Sequence, residues 1–425
     1  MNKTPITNFI LAVLAILILP IQAADPAKPN VILIISDDQG YTDYGFMGHR
    51  IAKTPHLDKM AAESLLFTRG YVMPVCSPSL ACLLTGKLPH EHGITGNDLA
   101  SGRSNREKLA KQLLGNSLIL PKAITEAGYL TFQTGKLWNV TYEEVGFTHG
   151  MTDTAGRHGD AGLKIGREGM QPVYDFIATA KAEKKPFFIW HAPLLPHDPH
   201  NPPKEILEKY KGKGPTPAAE KYYAMVEWFD NTCRELDDYL EKNGLRDNTV
   251  ILYLADNGWN AAHGYKGQRA KLSPYELGIR TPMFVRWPGK VIPRRDDETL
   301  VHITDFAPTI LDITGAKRPD DLPGLDLMDQ EVLKKRETVF VEAYTHDIAD
   351  LEAPEKSLTA QVVIDGWWKL IIPGPVKPVR PFATVPDEVS LFELKTDPME
   401  QNNVADQHPE VVKRMKKLQE AQWNP

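Results

Sequence analysis

Cysteine is scarce: Cys76, Cys82 and Cys233 are the only three in 425 residues. So few thiols cannot staple so long a chain, so its stability has to come from a buried core, and a cysteine in an unusual setting suggests chemistry. Long apolar runs are missing too. Beyond Phe9–Leu19 none approaches the roughly 20 residues that a membrane-spanning helix needs, and that one is itself too short. Neither sign of charge dominates. The balance of 49 basic and 55 acidic side chains, a net −6, argues against a nucleic-acid partner and obliges any anionic ligand to be drawn by a local basic cluster. Internal repeats and low-complexity tracts are absent apart from the N-terminal segment and some proline-rich loops.

Lys3, the apolar run and the ending Pro20-Ile21-Gln22-Ala23-Ala24 read as a secretory signal over residues 1–24. The mature protein is therefore expected to be secreted or periplasmic, with no stable membrane span after cleavage. A hydrophobic content of 42% suits a globular protein, and the length suits one large domain and one smaller one. The boundary is placed near Ala316, giving 25–315 and 316–425.

Val31–Ile35 is an unbroken, β-branched run, the pattern of a strand buried on both faces of a parallel sheet. Leu130–Thr134, Pro186–His191, Thr249–Ala255 and Met283–Trp287 repeat it. Helices are expected at Thr54–Ser64, Ser117–Gly128, Ala218–Asn243 and Thr304–Gly315. Such alternation predicts an α/β fold with a large, mostly parallel sheet flanked by helices. After Ala316, Thr338–Tyr344, an Asp365-Gly366 hairpin, Leu391–Leu394 and a helix at Glu410–Gln422 predict a smaller α+β unit with an antiparallel sheet.

Chemistry-bearing residues gather where strands end. Asp37-Asp38 follows the first strand, Lys136 the Leu130–Thr134 strand and Asp256-Asn257 the Thr249–Ala255 strand, while His197 lies between prolines in the loop after His191. One such pair could be a solvated turn. Two pairs of oxygen-bearing side chains at neighbouring strand ends are what a hard divalent cation requires. Lys271 and Arg280 follow the second pair and provide local positive charge. Cys76 precedes Ser77-Pro78-Ser79 at an expected helix N-terminus, where unpaired N–H groups and the helix dipole favour negative charge. Cys233 shares a helical apolar row with Tyr222, Val226, Phe229, Leu236 and Leu240 and reads as core; Cys82 reads as packed. The stretch from Asn139 to Gly169 reads as a long loop of the kind that often binds ligands.

The run Cys76-Ser-Pro-Ser-Leu80, with Leu84-Thr85-Gly86 following, resembles the sulfatase signature, in which the cysteine becomes formylglycine. Asp37-Asp38-Gln39-Gly40, Thr54–Asp58, Gly135-Lys136, Pro196–Pro199, Asp256-Asn257-Gly258, Lys271 with Tyr275-Glu276, and Leu391–Pro398 with Asn403 resemble further motifs of that family. The resemblance covers nearly the whole mature chain and implies an alkaline-phosphatase-like fold. It also implies a sulfuric ester hydrolase acting on a sulfated small molecule or polysaccharide. Asp37, Asp38, Asp256 and Asn257 would bind calcium, and a formylglycine-generating enzyme would modify Cys76. Lys136 and Lys271 would hold sulfate oxygens, and His197 would protonate the leaving alcohol. Two positions depart from the pattern: Leu80 stands where the family has arginine, and Trp138 where many relatives have histidine. His90 and His92, close behind Cys76, and Arg157 and His158 in the long loop are candidate substitutes; His92, Arg157 and His158 are assigned to substrate binding. A phosphate or phosphonate ester hydrolase of the same superfamily is the alternative enzyme. An unmodified Cys76 would instead leave a calcium-dependent binder of sulfated glycans.

Overall fold

A computed structural model describes residues 28–102, 106–153, 160–261, 269–378 and 384–423. The signal segment lies outside them. Asn30–Ser36 is a strand whose seven residues are all buried. Val31, Leu33 and Ile35 point into one apolar cluster, formed with Leu80, Leu83, Ile124 and Ile310. Ile32 and Ile34 point into another, with Phe176, Ile177, Phe229 and Leu236. At about 1.5–3 kcal/mol for each fully buried aliphatic side chain, this two-sided burial makes the strand the anchor of the sheet. The continuous apolar run was the visible sign of it.

Among the described residues the main sheet has nine strands. In spatial order they are Val301–His302, Leu65–Tyr71, Arg280–Arg286, Thr249–Ala255, Asn30–Ser36, Phe187–Ala192, Leu130–Gly135 and His149–Gly150, with Arg294–Asp296 also paired to Leu65–Tyr71. Arg280–Arg286 runs antiparallel to both neighbours, and the other pairings are parallel. That strand begins three residues before the expected Met283. The helix expected at Ser117–Gly128 is also shorter, Leu120–Glu126. Pro121 explains this, because deep inside a helix its ring would clash with the carbonyl of Ser117, whereas the first turn accommodates it.

A second sheet of four antiparallel strands, Thr338–Tyr344, Leu358–Asp365, Trp368–Pro373 and Ser390–Glu393, follows in the order of the chain. Helix Pro409–Trp423 closes its apolar face, with Met415 against Val363, Leu370 and Leu391. Lys369 of this sheet inserts its ammonium group between Glu276 (3.0 Å) and Glu400 (2.7 Å), all three at most 2% exposed. Burial pushes the Glu400 carboxyl up from 4.5 to about 7, against the pull of Lys369 and helped by Glu276. A carboxyl raised on folding stabilises fully below its unfolded value and loses that contribution as pH rises through the folded one. Glu400→Gln is therefore expected to flatten the decline in unfolding free energy between about pH 5 and 8. Urea titrations at both pH values check this, and an unaltered slope would mean that Lys369 satisfies both carboxylates.

Candidate active site at the carboxyl edge of the main sheet

Strand register alone brings the acidic pairs together. Ser36 lies opposite Ala255, so Asp37 and Asp256 leave the sheet side by side, and the Asp256 N–H donates to the Ser36 carbonyl at 2.9 Å. Gly135 lies opposite Ala192 on the far side of the central strand, which delivers Lys136 to the same edge. Only glycine fits there: φ is 75°, and a Cβ would come within 1.8 Å of the Ala192 carbonyl oxygen. Asp38 also adopts a left-handed conformation (φ 55°), one that aspartate tolerates better than most residues. Its N–H donates to Asp256 Oδ1 (3.2 Å), and Tyr222 Oη donates to its carbonyl (3.3 Å).

The side chains form one buried charge cluster. Lys136 Nζ contacts Asp37 Oδ1 and lies 3.3 Å from Asp256 Oδ2. Lys271 Nζ donates to Asp38 Oδ1 at 2.6 Å, Asn257 Nδ2 to the same oxygen at 2.7 Å, and His197 Nε2 stands 3.4 Å from Asp38 Oδ2. Burial alone would raise the Asp38 carboxyl, yet Lys271, His197 and Lys136 hold it well below the usual range. Burial likewise opposes the charge on His197, but Asp37, Asp38 and Asp198 outweigh it and bring its pKa to about 9. Lys136 is kept protonated against burial by Asp256 and Asp37. Asp256 itself is pushed up by burial, despite Lys136.

The donor set fits a divalent cation. Asp37 Oδ2 and Asn257 Oδ1 are buried and have no hydrogen-bond partner among the described residues. An orphaned buried acceptor costs about 1–3 kcal/mol, so two at one site are best explained by a ligand that both can bind. Asp37, Asp38 and His197 also bring one ligand atom each within 4.8 Å of one another. Oxygen donors of this kind suit calcium or magnesium better than a softer metal.

Two loops complete the cluster. Prolines on both sides restrict the backbone of the His197 loop. Arg167, from the long loop, does more: its guanidinium donates to the carbonyls of Leu194 (2.7 Å) and His197 (2.8 Å) and to Asn201 Oδ1 (2.6 Å). Cys76 is the first residue of helix Cys76–Thr85, two positions ahead of Pro78, and is 2% exposed. Its charge would act on both Lys136 and Lys271. Its sulfur lies 3.5 Å from Asn97 Oδ1.

The departures at 80 and 138 meet in space. Leu80 and Trp138 line one small apolar cavity with Leu84, Ile94, Leu109 and Leu113. Both side chains are apolar and belong to one buried cluster. The Lys136 ammonium stands 5.5 Å from the Trp138 ring centroid.

Of the proposed substitutes, the two that are described, His90 and His92, have partners away from the charge cluster. His92 is fully buried, with Nε2 at 3.5 Å from Cys82 Sγ and Nδ1 accepting from Ile94 N–H, and burial pushes its pKa down to about 3. Its assignment to substrate binding is corrected accordingly, since a neutral core imidazole offers nothing to an anion. His90 pairs with Glu342 and meets the Trp423 ring at a tilt of 40°. Arg157 and His158 lie outside the described residues. Asn97 and Arg167 were not singled out by sequence, because neither lies in a periodic run and both act on partners brought in by folding.

The Sulfatase family model matches residues 29–316, and a model for the C-terminal part of N-sulphoglucosamine sulphohydrolase matches 262–424. N-acetylgalactosamine-6-sulfatase of Canis lupus familiaris is 28% identical over 354 residues, 72% of this chain and 66% of that protein. The ulvan-active sulfatase of Formosa agariphila is 29% identical over 317 residues, 70% of this chain and 56% of that protein. The chain thus spans less than two thirds of the length of these curated relatives. A solved protein in complex with its substrate, D-glucosamine-2-N,6-O-disulfate, shares the fold at a TM-score of 0.68 and 22% identity, covering 93% of this chain and 97% of that one. With a family match over more than half of its length, the chain belongs to the sulfatase family.

Proposed function

We propose that the protein is an exported, calcium-dependent sulfatase that removes sulfate from a sulfated carbohydrate, with residue 76 as the nucleophile after conversion to formylglycine. The observation that carries this reading is the buried cluster of three carboxylates, two lysines and His197, with two orphaned oxygens, beside Cys76. Three carboxylates balance two ammonium groups and one imidazolium, so a bound divalent ion would leave the site positive and attractive to a singly charged sulfate ester. Asp37, Asp38, Asp256 and Asn257 would hold the ion, which would lower the charge on the sulfate oxygens when bound. The formylglycine would supply the attacking oxygen.

The chain's own residues account for the rest of the chemistry. Lys136 and Lys271, fixed by their carboxylates, would hold sulfate oxygens as point charges and stabilise charge developing there. His197, whose Nε2 stands 3.4 Å from Asp38 Oδ2, would give a proton to the departing alcohol oxygen. A cavity of about 330 Å³ lined by Leu272, Tyr344, Thr345, His346 and Lys356 would have room for the sugar that carries the sulfate. A sulfated carbohydrate also agrees with the substrates named for the relatives above.

We further assign the signal segment 1–24, the domains 25–315 and 316–425, and a formylglycine-generating enzyme as maturation partner. No helix among the described residues is long and apolar enough to cross a membrane. The reading is tested by mass spectrometry of the peptide carrying residue 76, from a host able to modify it, and by turnover of matched aryl sulfate and aryl phosphate. A retained thiol with no turnover would favour the glycan-binding reading, and faster phosphate cleavage the phosphatase one. Chelation is expected to remove turnover and to lower the melting temperature. Calcium at about 100 times its Kd should restore both, contributing about 2.7 kcal/mol to folding.

A further inference from the structure

Residue 76 has a polar partner, Asn97, whose Oδ1 lies 3.5 Å from its sulfur. We propose that Asn97, oriented by a His346–Asp347 pair, positions the side chain of residue 76. The proposal rests on the reading of residue 76 as the nucleophile.

Hydrogen-bond polarity dictates the arrangement. The Ser77 N–H can only donate, and it meets Asn97 Oδ1 at 3.1 Å, so that oxygen is an acceptor facing residue 76. The Asn97 amide nitrogen then faces His346 Nε2 at 3.1 Å, which must accept. The His346 proton therefore sits on Nδ1, where Asp347 Oδ1 receives it at 2.6 Å. The three side chains form a directional chain ending 3.5 Å from the Cys76 sulfur.

The backbone keeps these groups in register. Asn97 N–H donates to the His346 carbonyl at 2.8 Å, residues 98–99 pair in parallel with 347–348, and Asn139 Nδ2 donates to the Asn97 carbonyl at 3.3 Å. Asn97 is 1% exposed, so its amide does not exchange these partners for water. A donor at position 76, whether thiol or hydroxyl, thus meets a fixed acceptor. Asn97 touches the reacting side chain; His346 and Asp347 are positioning residues that act through it.

Three variants and two readouts test the proposal. His346→Phe removes the acceptor for the Asn97 amide, whereas His346→Gln can put an oxygen near the place of Nε2. In His346→Phe, kcat for an aryl sulfate is expected to fall about tenfold with KM little changed; Asn97→Ala should fall further, and His346→Gln should recover most of the loss. Because His346 also lines the 330 Å³ cavity, a role confined to substrate contact would instead raise KM and leave kcat. Crystal structures of His346→Phe and His346→Gln give the readout that is independent of activity. Asn97 Oδ1 is expected to leave the Ser77 N–H in the first and to keep it in the second. Asn97 unmoved in His346→Phe, or kcat equally poor in both His346 variants, would overturn the proposal. Were the wild type to cleave no sulfate ester, the proposed function would fall, and the two crystal structures would still decide the placement of Asn97.

Discussion

Cys76→Ala is expected to abolish sulfate-ester hydrolysis, by about 10⁴-fold or more, while the protein still folds. The sulfur of Cys76 contacts Asn97 Oδ1 at the start of a helix, and its removal leaves the two core clusters largely in place. The other thiols should behave in the opposite way. Cys82, which touches His92 Nε2, and Cys233 are fully buried away from the charge cluster, so alanine there opens a small cavity and lowers stability by about 1 kcal/mol without touching turnover. Initial rates on an aryl sulfate, with melting temperatures for the three variants, separate the roles. Turnover surviving in Cys76→Ala would show that the reaction does not pass through residue 76.

Lys136→Met should be the most damaging single change to the unloaded site. The lysine side chain is 2% exposed and stands between Asp37 and Asp256, whose own exposures are 2% and 0%. Removing it leaves two buried carboxylates facing each other with their main counter-charge gone, which typically costs about 3–5 kcal/mol. Calcium would supply positive charge to the same oxygens, so the loss should be much smaller at saturating calcium than in chelator. That contrast is the signature to look for in urea denaturation. Turnover should fall about 10²–10³-fold even when calcium restores the fold, because a fixed charge on the sulfate oxygens has gone. Equal stability of Lys136→Met and wild type in chelator would contradict this account.

Much of the site was visible in one dimension because it stands on strand ends. Apolar runs such as Val31–Ile35 and Thr249–Ala255 announce buried strands, and whatever follows each run emerges at the same sheet edge if the strands are parallel. Asp37, Lys136 and Asp256 obey that rule. So does the fate of Cys233, whose helical neighbours already placed it in the core. His92 shows where proximity in sequence misleads. It follows Cys76 by sixteen positions, but it belongs to the short helix Pro89–His92, which turns its ring toward Cys82.

Other parts depended on partners far along the chain. Asn97 meets His346 across 249 residues, and Lys369 meets Glu276 across 93. Neither contact leaves a periodicity or a spacing, since it arises only when the second sheet packs on the first. Arg167 is one basic residue in a long loop, and its hold on the His197 loop follows from how that loop lies over three carbonyl and amide oxygens.

Residue order by itself determined the α/β alternation, the two-sided burial of the central strands, and the set of charged groups delivered to one edge, because each depends on local pattern and on the short range of a strand. Tertiary structure alone decided which groups touch. It placed Lys136 between two carboxylates, left one oxygen each of Asp37 and Asn257 unpaired, set Leu80 and Trp138 around one cavity, and turned Asn97 toward residue 76. The physical reason is that hydrogen bonds and ion pairs act over a few ångströms in directions set by packing, whereas sequence records only which groups are available to make them.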